Sequence, residues 1–301
     1  MIRALAGAAT DVGRIRDSNE DSFLCANGVY FVADGMGGHS AGEVASDIAV
    51  RTLGEILSEA GNIVIAAEDV VAAVRHANRA IFAEAILDSS KAGMGTTLSG
   101  LVVTNPYSHR AVVANVGDSR TYLWRHGELR QLSKDHSHVQ TLVDRGAITR
   151  AEARVHYQRN IVLRAMGIDA TVEVDTFEVG IEDGDRFIVC SDGLVDEADD
   201  MAIESEIRAS IGPQDLADRL VALANENGGR DNTTVLVVDF VLVAEETAPL
   251  VTELPPLAAP ILEPAARRRP SPWLSVAAYG LWLAAAAITA AVVIGAFASG
   301  Q

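Results

Sequence analysis

Short apolar runs and longer amphipathic segments alternate along residues 1–241. Apolar runs of roughly four to eight residues that are bounded by Gly, Pro, Asn or Asp are typical of buried strands. The runs that fit this description are Val29–Ala33, Thr97–Val103, Ala111–Val116, Arg186–Cys190 and Thr234–Phe240. We therefore expect strands at these places.

Other segments carry the longer spacing of apolar residues that an amphipathic helix requires. These segments are Gly42–Glu59, Val70–Asp88 and Gln214–Asn227. Because strand runs and helical segments do not alternate strictly, the pattern does not indicate a regular parallel sheet with crossover helices. It predicts instead a mixed, mainly antiparallel α/β arrangement.

Two further zones follow the predicted domain of residues 1–241. Residues 242–272 are rich in Pro, Ala and Glu without a helical or strand period, which predicts a linker. Residues 273–298 are apolar and uncharged. At about 1.5 Å per residue, such a helix reaches the roughly 30 Å hydrocarbon core of a bilayer. We expect a transmembrane helix here, with a buried helix of a soluble protein as the alternative.

Flanking charges predict the orientation of this helix. The arginines 267–269 precede it, whereas only the uncharged residues 299–301 follow. Since positive charge favours the cytoplasmic side, the N-terminal domain is expected in the cytoplasm. The apolar start of the chain is too short for a secretory signal peptide. The sequence thus predicts a single-pass protein of the cell inner membrane with a cytoplasmic domain.

The charge balance excludes one class of partner. The chain has 41 acidic and 24 basic residues, a formal net charge of −17, which argues against binding to nucleic acid. The acidity serves either solubility or a cluster of carboxylates that binds cations. The two cysteines show no metal-ligand spacing, and their scarcity suits a reducing compartment.

Several acidic residues lie at the ends of predicted strands. Asp34, Asp118 and Asp192 follow apolar runs, Asp231 precedes one, and the pair Glu20–Asp21 precedes another. A single Asp-Gly is readily explained as a turn. Together, however, these carboxylates favour a shared crevice for Mg²⁺ or Mn²⁺, which prefer oxygen ligands. A two-metal carboxylate site suits phosphoester hydrolysis, and no P-loop or G-x-S-x-G motif suggests another chemistry.

A set of motifs occurs in the order found in one known family. They are TDVGRIRDSNEDSF (10–23), VYFVADGMGGHSAGEVAS (29–46), GMGTTLSG (93–100), ANVGDSRTYLW (114–124), LSKDHSHVQTLVDRGAIT (132–149), NIVLRAMG (160–167), GDRFIVCSDGL (184–194) and GGRDNTTVLVV (228–238). Through them, residues 3–241 resemble the bacterial PPM, or protein phosphatase 2C-like, metal-dependent serine/threonine phosphatases.

This resemblance implies both a fold and an activity. The fold is α+β, a four-layer α-β-β-α sandwich of two antiparallel sheets flanked by helices. The activity is hydrolysis of phosphoserine and phosphothreonine on proteins by a bridging water activated at a binuclear Mn²⁺ or Mg²⁺ centre. The implied partners are phosphoproteins, including a bacterial Ser/Thr kinase.

The resemblance also implies the metal ligands. Asp34 is expected to bridge the two core ions, and Asp192 and Asp231 to complete the protein ligands of the first ion. Glu20 is expected to contact waters of the second ion, and Gly35 to offer it a backbone carbonyl.

Further roles follow from the same motifs. Asp118, with Asp192, is expected to hold a weaker third ion, and Asp21 to orient a metal-bound water. Asn232 is expected to fix the loop of the ligand that precedes it. Arg16 is the expected phosphate binder, because a guanidinium engages two phosphate oxygens and keeps its proton. An ordinary surface arginine is the alternative.

The chain departs from the pattern of animal members at one position. They carry a histidine after the Asp-Gly, thought to protonate the leaving alkoxide, where this chain has Met36. His39 is a candidate for that role, and a water on the third ion is its rival. Residues 133–165 correspond to the flap, a variable segment beside the site. The flap histidines, which lack the spacing of a closed metal site, are His136, His138 and His156. Substrate contact or surface exposure is expected for them.

Two alternative functions remain open from the sequence. One is a catalytically silent module that binds phosphoproteins, and the other is a hydrolase of small phosphoesters on the same fold. The complete carboxylate set favours an active enzyme over the silent module, and the absence of a nucleotide motif disfavours the small-phosphoester hydrolase.

Overall fold

The computed structural model describes residues 2–37, 41–58, 64–105, 107 and 109–243. Most of the predicted linker, the predicted transmembrane helix and His39 lie outside these residues. Within the described part of the chain, no helix is both long and apolar enough to cross a membrane.

The strands of the described residues form two antiparallel sheets. Their bounds are β1 Ile2–Asp11, β2 Asp21–Ala26, β3 Val29–Met36, β4 Gly95–Thr96, β5 Leu98–Asn105, β6 Arg110–Val116, β7 Arg120–Arg125, β8 Glu128–Gln131, β9 Asp175–Gly180, β10 Arg186–Cys190 and β11 Thr233–Leu242. The first sheet has the order β1-β11-β10-β7-β8. The second has the order β2-β3-β5-β6-β9, with β4 paired to β3.

Five of the seven α-helices in the described residues cover the outer faces of the two sheets, and the two short helices within residues 133–165 belong to the flap. Their bounds are α1 Ala41–Ser58, α2 Ala67–Leu87, α3 His138–Asp144, α4 Arg150–Arg154, α5 Asp192–Glu197, α6 Asp200–Ala209 and α7 Pro213–Glu226. Local signals set several helix starts. Asp199 caps α6 by accepting a hydrogen bond from the Ala202 N–H (2.8 Å), and α7 begins at Pro213, a residue favoured in the first turn.

Three apolar cores define four layers. One core, with Phe187, Val189 and Leu236, lies between the sheets. A second packs the other face of the second sheet on α1 and α2, and a third packs the other face of the first sheet on α5–α7. Successive strand residues point to opposite faces, so Ile188 and Cys190 enter the third core. Both faces of the central strands are buried, which explains their continuous apolar runs. The α-β-β-α sandwich is thus confirmed.

Candidate metal centre

The predicted carboxylates converge at one edge of the two sheets. Asp21, the first residue of β2, pairs across the ladder with Asp34 on β3. Asp192 begins α5 two residues after the end of β10, and its carboxylate is close enough to that of Asp34 to raise the pKa of Asp34. This proximity brings the two sheets together at the site, because β3 belongs to the second sheet and β10 to the first.

The main chain of Asp34 is fixed on both sides by two buried threonines. Its N–H donates to Thr97 Oγ1 (3.1 Å), and its C=O accepts from the Thr97 N–H (2.8 Å) and from Thr96 Oγ1 (2.9 Å). These bonds hold the main chain of Asp34 and do not occupy its carboxylate.

Burial and mutual repulsion raise the pKa of these carboxyl groups. The pKa of Asp34 lies well above its ordinary value because of burial and the neighbouring charges of Asp21, Asp192 and Asp118. Burial and the charge of Asp118 raise the pKa of Asp192 in the same way. Burial raises the pKa of Asp118 to about 7 and that of Asp21 to about 6. Such a group of carboxylates cannot ionise together without nearby positive charge.

Divalent cations fit this donor set. The donors are carboxylate oxygens, which suit hard ions such as Mg²⁺ and Mn²⁺. Asp21 Oδ1 is buried and has no hydrogen-bond partner in the described part of the chain, as expected for an atom that accepts a hydrogen bond from water at a metal site. Among the described residues, no three His, Cys, Asp or Glu side chains stand close enough together to hold a metal ion by themselves. A Mg²⁺ ion needs fewer protein ligands, because it keeps several water ligands.

Arg16 and Asp231 form an ion pair in this structure. Arg16 Nη2 donates to Asp231 Oδ2 at 2.7 Å, and this hydrogen bond raises the pKa of the guanidinium. Half of the Arg16 side chain is exposed (50%). An exposed pair of this kind contributes roughly 0–1 kcal/mol, so it opens readily when a ligand competes for either partner.

Asn232 connects the loop before β2 to the start of β11. Its Oδ1 accepts from the Glu20 N–H (2.8 Å), and its Nδ2 donates to the carbonyls of Val12 and Ser18 (2.9 Å each). This buried amide therefore uses both of its ends to hold the backbone of Glu20 beside Asp231.

Glu20 and Gly35 lie against the first turn of α1. The Gly35 N–H donates to the Glu20 C=O (3.1 Å), which also accepts from Ser46 Oγ (2.6 Å). A Cβ atom on Gly35 would lie 2.2 Å from the Gly42 carbonyl oxygen. Only glycine fits this close approach of two backbones.

Asp118 lies in the turn between β6 and β7 and lines a cleft beside the flap. Asp192, the helix α4 and the segment between α5 and α6 also line this cleft. Asp118 is buried (7% exposed). Its neighbour Ser119 is hydrogen-bonded through Oγ to Thr97 Oγ1 (2.7 Å), which links Asp118 to the backbone of Asp34.

The flap histidines differ from the expectation in one case. His136 is buried, with 10% of its side chain exposed, whereas surface exposure or substrate contact was expected. His138 begins α3, and His156 stacks on Tyr157 with ring centroids 4.6 Å apart. His39 lies outside the described residues, so its predicted role stays a prediction.

Three polar residues around the site were missed from the sequence. Ser191 Oγ donates to Asp21 Oδ2 (2.8 Å) and so orients that carboxylate. The Arg120 guanidinium donates to both oxygens of the buried Asp135 carboxylate at 2.7–3.0 Å. Asp135 in turn contributes to the raised pKa of Asp118. The position of Asp135 inside the motif LSKDHS was the available signal.

The fold and this carboxylate centre define a protein phosphatase of the 2C type. The family model for protein phosphatase 2C matches residues 16–220, and the chain belongs to that family. The serine/threonine phosphatase stp of Listeria welshimeri is 40% identical over 245 residues, which cover 76% of this chain and 93% of that protein.

Solved structures agree with the sequence comparison. The Mycobacterium tuberculosis serine/threonine phosphatase PstP/Ppp matches with a TM-score of 0.73 and 39% identity, covering 79% of this chain and 99% of that one. A PstP catalytic domain in complex with two manganese ions matches with a TM-score of 0.74 and 37% identity, covering 80% of this chain and all of that one.

Proposed function

We propose that the protein is a metal-dependent phosphatase of phosphoserine and phosphothreonine on proteins. The observation that carries the proposal is the group of carboxylates at the junction of the two sheets, in the fold of this family: Asp118 is buried, and Asp21, Asp34 and Asp192 are partly buried. Their pKa values are all raised, first by burial and then by the charges of neighbouring carboxylates. A silent phosphoprotein-binding module would not need so many like charges close together and shielded from water, which are costly to keep without a cation.

The cofactors that we propose are two core Mn²⁺ or Mg²⁺ ions and a weaker third ion. Asp34, Asp192 and Asp231 are the proposed protein ligands of the core, with Glu20 and the carbonyl of Gly35 at the second ion. A bound pair of such ions lowers the pKa of water and neutralises the phosphoryl group under attack. Asp118 is the proposed ligand of the third ion.

Asp21 and Asn232 are proposed to position other groups of this centre: Asp21 orients the attacking water, and Asn232 holds Glu20. Asp21 is held through Oδ2 by Ser191, which leaves its buried Oδ1 available to accept a hydrogen bond from the attacking water. Burial raises the pKa of Asp21 to about 6 in the metal-free protein, and bound cations would lower it, which favours the ionised form that accepts this bond. Asn232 keeps Glu20 in place. His39 and a water near Asp118 are the two candidate donors of a proton to the leaving alkoxide.

Substrate class is tested directly on peptides. The full chain with Mn²⁺ should hydrolyse phosphothreonine and phosphoserine peptides in preference to phosphotyrosine peptides and small phosphate metabolites. Phosphate release is measured for each at equal concentration. Preference for a small metabolite would favour the alternative hydrolase, and binding of phosphopeptides without hydrolysis would favour the silent module.

We propose that Arg16 binds the substrate phosphate after leaving Asp231. Replacing Arg16 by Ala is expected to raise KM for a phosphothreonine peptide and the inhibition constant of inorganic phosphate by about tenfold or more, because a charge-assisted bidentate contact contributes roughly 1.5–3 kcal/mol. Thermal stability should change little, since the present ion pair is exposed. The matched control is Arg51→Ala, another exposed arginine in an ion pair. Unchanged phosphate inhibition would exclude this role.

We propose that residues 273–298 anchor the chain in the inner membrane and that the phosphatase domain is cytoplasmic. The uncharged sequence and the preceding arginines 267–269 support this proposal. A cytoplasmic Ser/Thr kinase, and phosphoproteins of the same compartment, would then be its partners.

Fractionation tests the membrane proposal. The full chain should pellet with membranes and resist extraction by alkaline carbonate, and protease should digest its domain only in inside-out vesicles. A variant that ends after residue 272 should be recovered in the soluble fraction. Recovery of the full chain in the soluble fraction, or digestion in intact spheroplasts, would exclude this topology.

A further inference from the structure

His136 occupies a buried position between the flap and the turn that carries Asp118. Its backbone N–H donates to the Gly117 C=O (2.9 Å), and its ring Nδ1 accepts from the Gly117 N–H (3.0 Å). Its own C=O accepts from the Leu163 N–H (2.7 Å), near the other end of the flap. One residue therefore joins both ends of the flap to the backbone directly before Asp118.

Gly117 is held in a conformation that needs such support. Its φ of +104° is rare for other residues, and a Cβ atom here would lie 2.6 Å from the Thr97 Cβ. The Gly117 C=O also accepts from Asn115 Nδ2 (3.1 Å). The N–H of Gly117, by contrast, has the His136 ring as its acceptor. Because the His136 ring holds the N–H of Gly117, it also helps to set the backbone orientation of the next residue, Asp118.

The other edge of the His136 ring fixes its tautomer. Because Nδ1 accepts a hydrogen bond, the proton of the neutral ring lies on Nε2. Asp175 Oδ2 lies 3.2 Å from Nε2 and accepts that proton's hydrogen bond. Arg164 Nη1 lies 2.9 Å from Nε2, but a guanidinium can only donate, so it forms no hydrogen bond with a protonated Nε2. It donates instead to Asp175 Oδ1 at 2.6 Å and so holds the carboxylate that faces the ring. The ring is held on both sides, with its acceptor directed at Gly117.

We infer that His136 is a positioning residue for the ion held at Asp118, since it fixes the Gly117–Asp118 turn from the flap through its Nδ1. The inference rests on the proposed third-ion role of Asp118. It makes the affinity of that ion depend on the flap, although the flap histidine itself is not a ligand. A variant that loosens the His136 ring should therefore bind the third ion with lower affinity and still bind the two core ions.

The test compares two variants of equal shape. In His136→Asn, the side-chain oxygen can take the place of Nδ1 as acceptor, whereas in His136→Leu a methyl group takes that place. Hydrogen exchange of the Gly117 amide, measured by mass spectrometry with fragmentation on the metal-free full chain, should rise about tenfold in the Leu variant, as expected for the loss of one hydrogen bond from a buried donor. It should stay within about threefold of wild type in the Asn variant.

Calorimetry with Mn²⁺ completes the test. The weakest site should lose about tenfold in affinity in His136→Leu and little in His136→Asn, with the two tighter sites unchanged in both. Asp175→Ala, which removes the acceptor of the Nε2 proton, should raise Gly117 exchange and lower the affinity of the weakest Mn²⁺ site by about two- to threefold. This variant also keeps the inference testable if His136→Leu does not fold.

The outcomes separate this inference from the proposed function. Equal Gly117 exchange in the Asn and Leu variants, or a weakest Mn²⁺ site that is unchanged in the Leu variant, would overturn the inference. An Asp118→Asn variant that keeps every Mn²⁺ site would instead refute the third-ion role of Asp118. That result would leave untouched the phosphopeptide hydrolysis and the Gly117 exchange measured on the wild-type protein.

Discussion

Replacing Asp34 by Asn is expected to lower kcat for a phosphothreonine peptide by about a thousandfold or more. Asp34 is the central member of the carboxylate group, because the charges of Asp21, Asp192 and Asp118 all raise its pKa. An amide of the same shape has no negative charge to hold two cations, so both water activation and charge neutralisation are lost. A thousandfold loss corresponds to about 4 kcal/mol of transition-state stabilisation.

The measurement is steady-state kinetics with Mn²⁺, accompanied by calorimetry of Mn²⁺ binding. Asp47→Asn is the control, because Asp47 is an exposed aspartate on α1 that forms only a surface ion pair with Arg51. Wild-type activity should also disappear in EDTA and return with added Mn²⁺. Full activity after exhaustive metal removal, or a kcat of Asp34→Asn near that of wild type, would refute the metal mechanism.

Gly35→Ala should abolish activity and destabilise the fold. The added Cβ would meet the Gly42 carbonyl oxygen at 2.2 Å and the Glu20 carbonyl oxygen at 2.6 Å. Because both neighbours are backbone, they cannot move aside cheaply, and overpacking of this kind costs about 1–3 kcal/mol or more. Glu20 would also be pushed away from its hydrogen bond with Asn232.

Thermal unfolding and kinetics check this expectation. For a domain of this size, 3 kcal/mol lowers Tm by about 6–12 °C. Gly180→Ala is the matched control, since no atom lies within 4 Å of a Cβ at that position and its backbone has no positive φ. A Gly35→Ala protein with wild-type Tm and kcat would show that α1 and the Glu20 loop are not packed as described.

The sequence predicted the central strands well because both of their faces are buried. Arg186–Cys190 has the predicted bounds, and Thr234–Phe240 lies within the longer β11. Half of the residues of the missed strand β1, with the sequence IRALAGAATD, are Ala or Gly, which have weak strand propensity. It is a strand because it pairs with β11 along its whole length, and no local signal reports a partner so distant in the chain.

The sequence predicted which residues belong to the candidate site, but it did not predict which of them contact one another. The carboxylates at strand ends were visible as Asp beside Gly, and the structure brings Asp21, Asp34 and Asp192 together. The pairing of Arg16 with Asp231 and the burial of His136 could not be predicted, because each depends on loops from distant parts of the chain. Spacing in sequence does not fix which charged groups meet when the loops close.

The pairing of β1 with β11 has a consequence for biosynthesis. Ile2 lies opposite Leu242, so the first sheet is complete only after nearly all of the domain has left the ribosome. Until then β1 is an unpaired edge, and Asp231 has not joined the other carboxylates. Non-local pairing of this kind is associated with slow folding, on the order of milliseconds to seconds. A nascent chain therefore has no assembled metal centre, and the phosphatase site is among the last parts of the molecule to form.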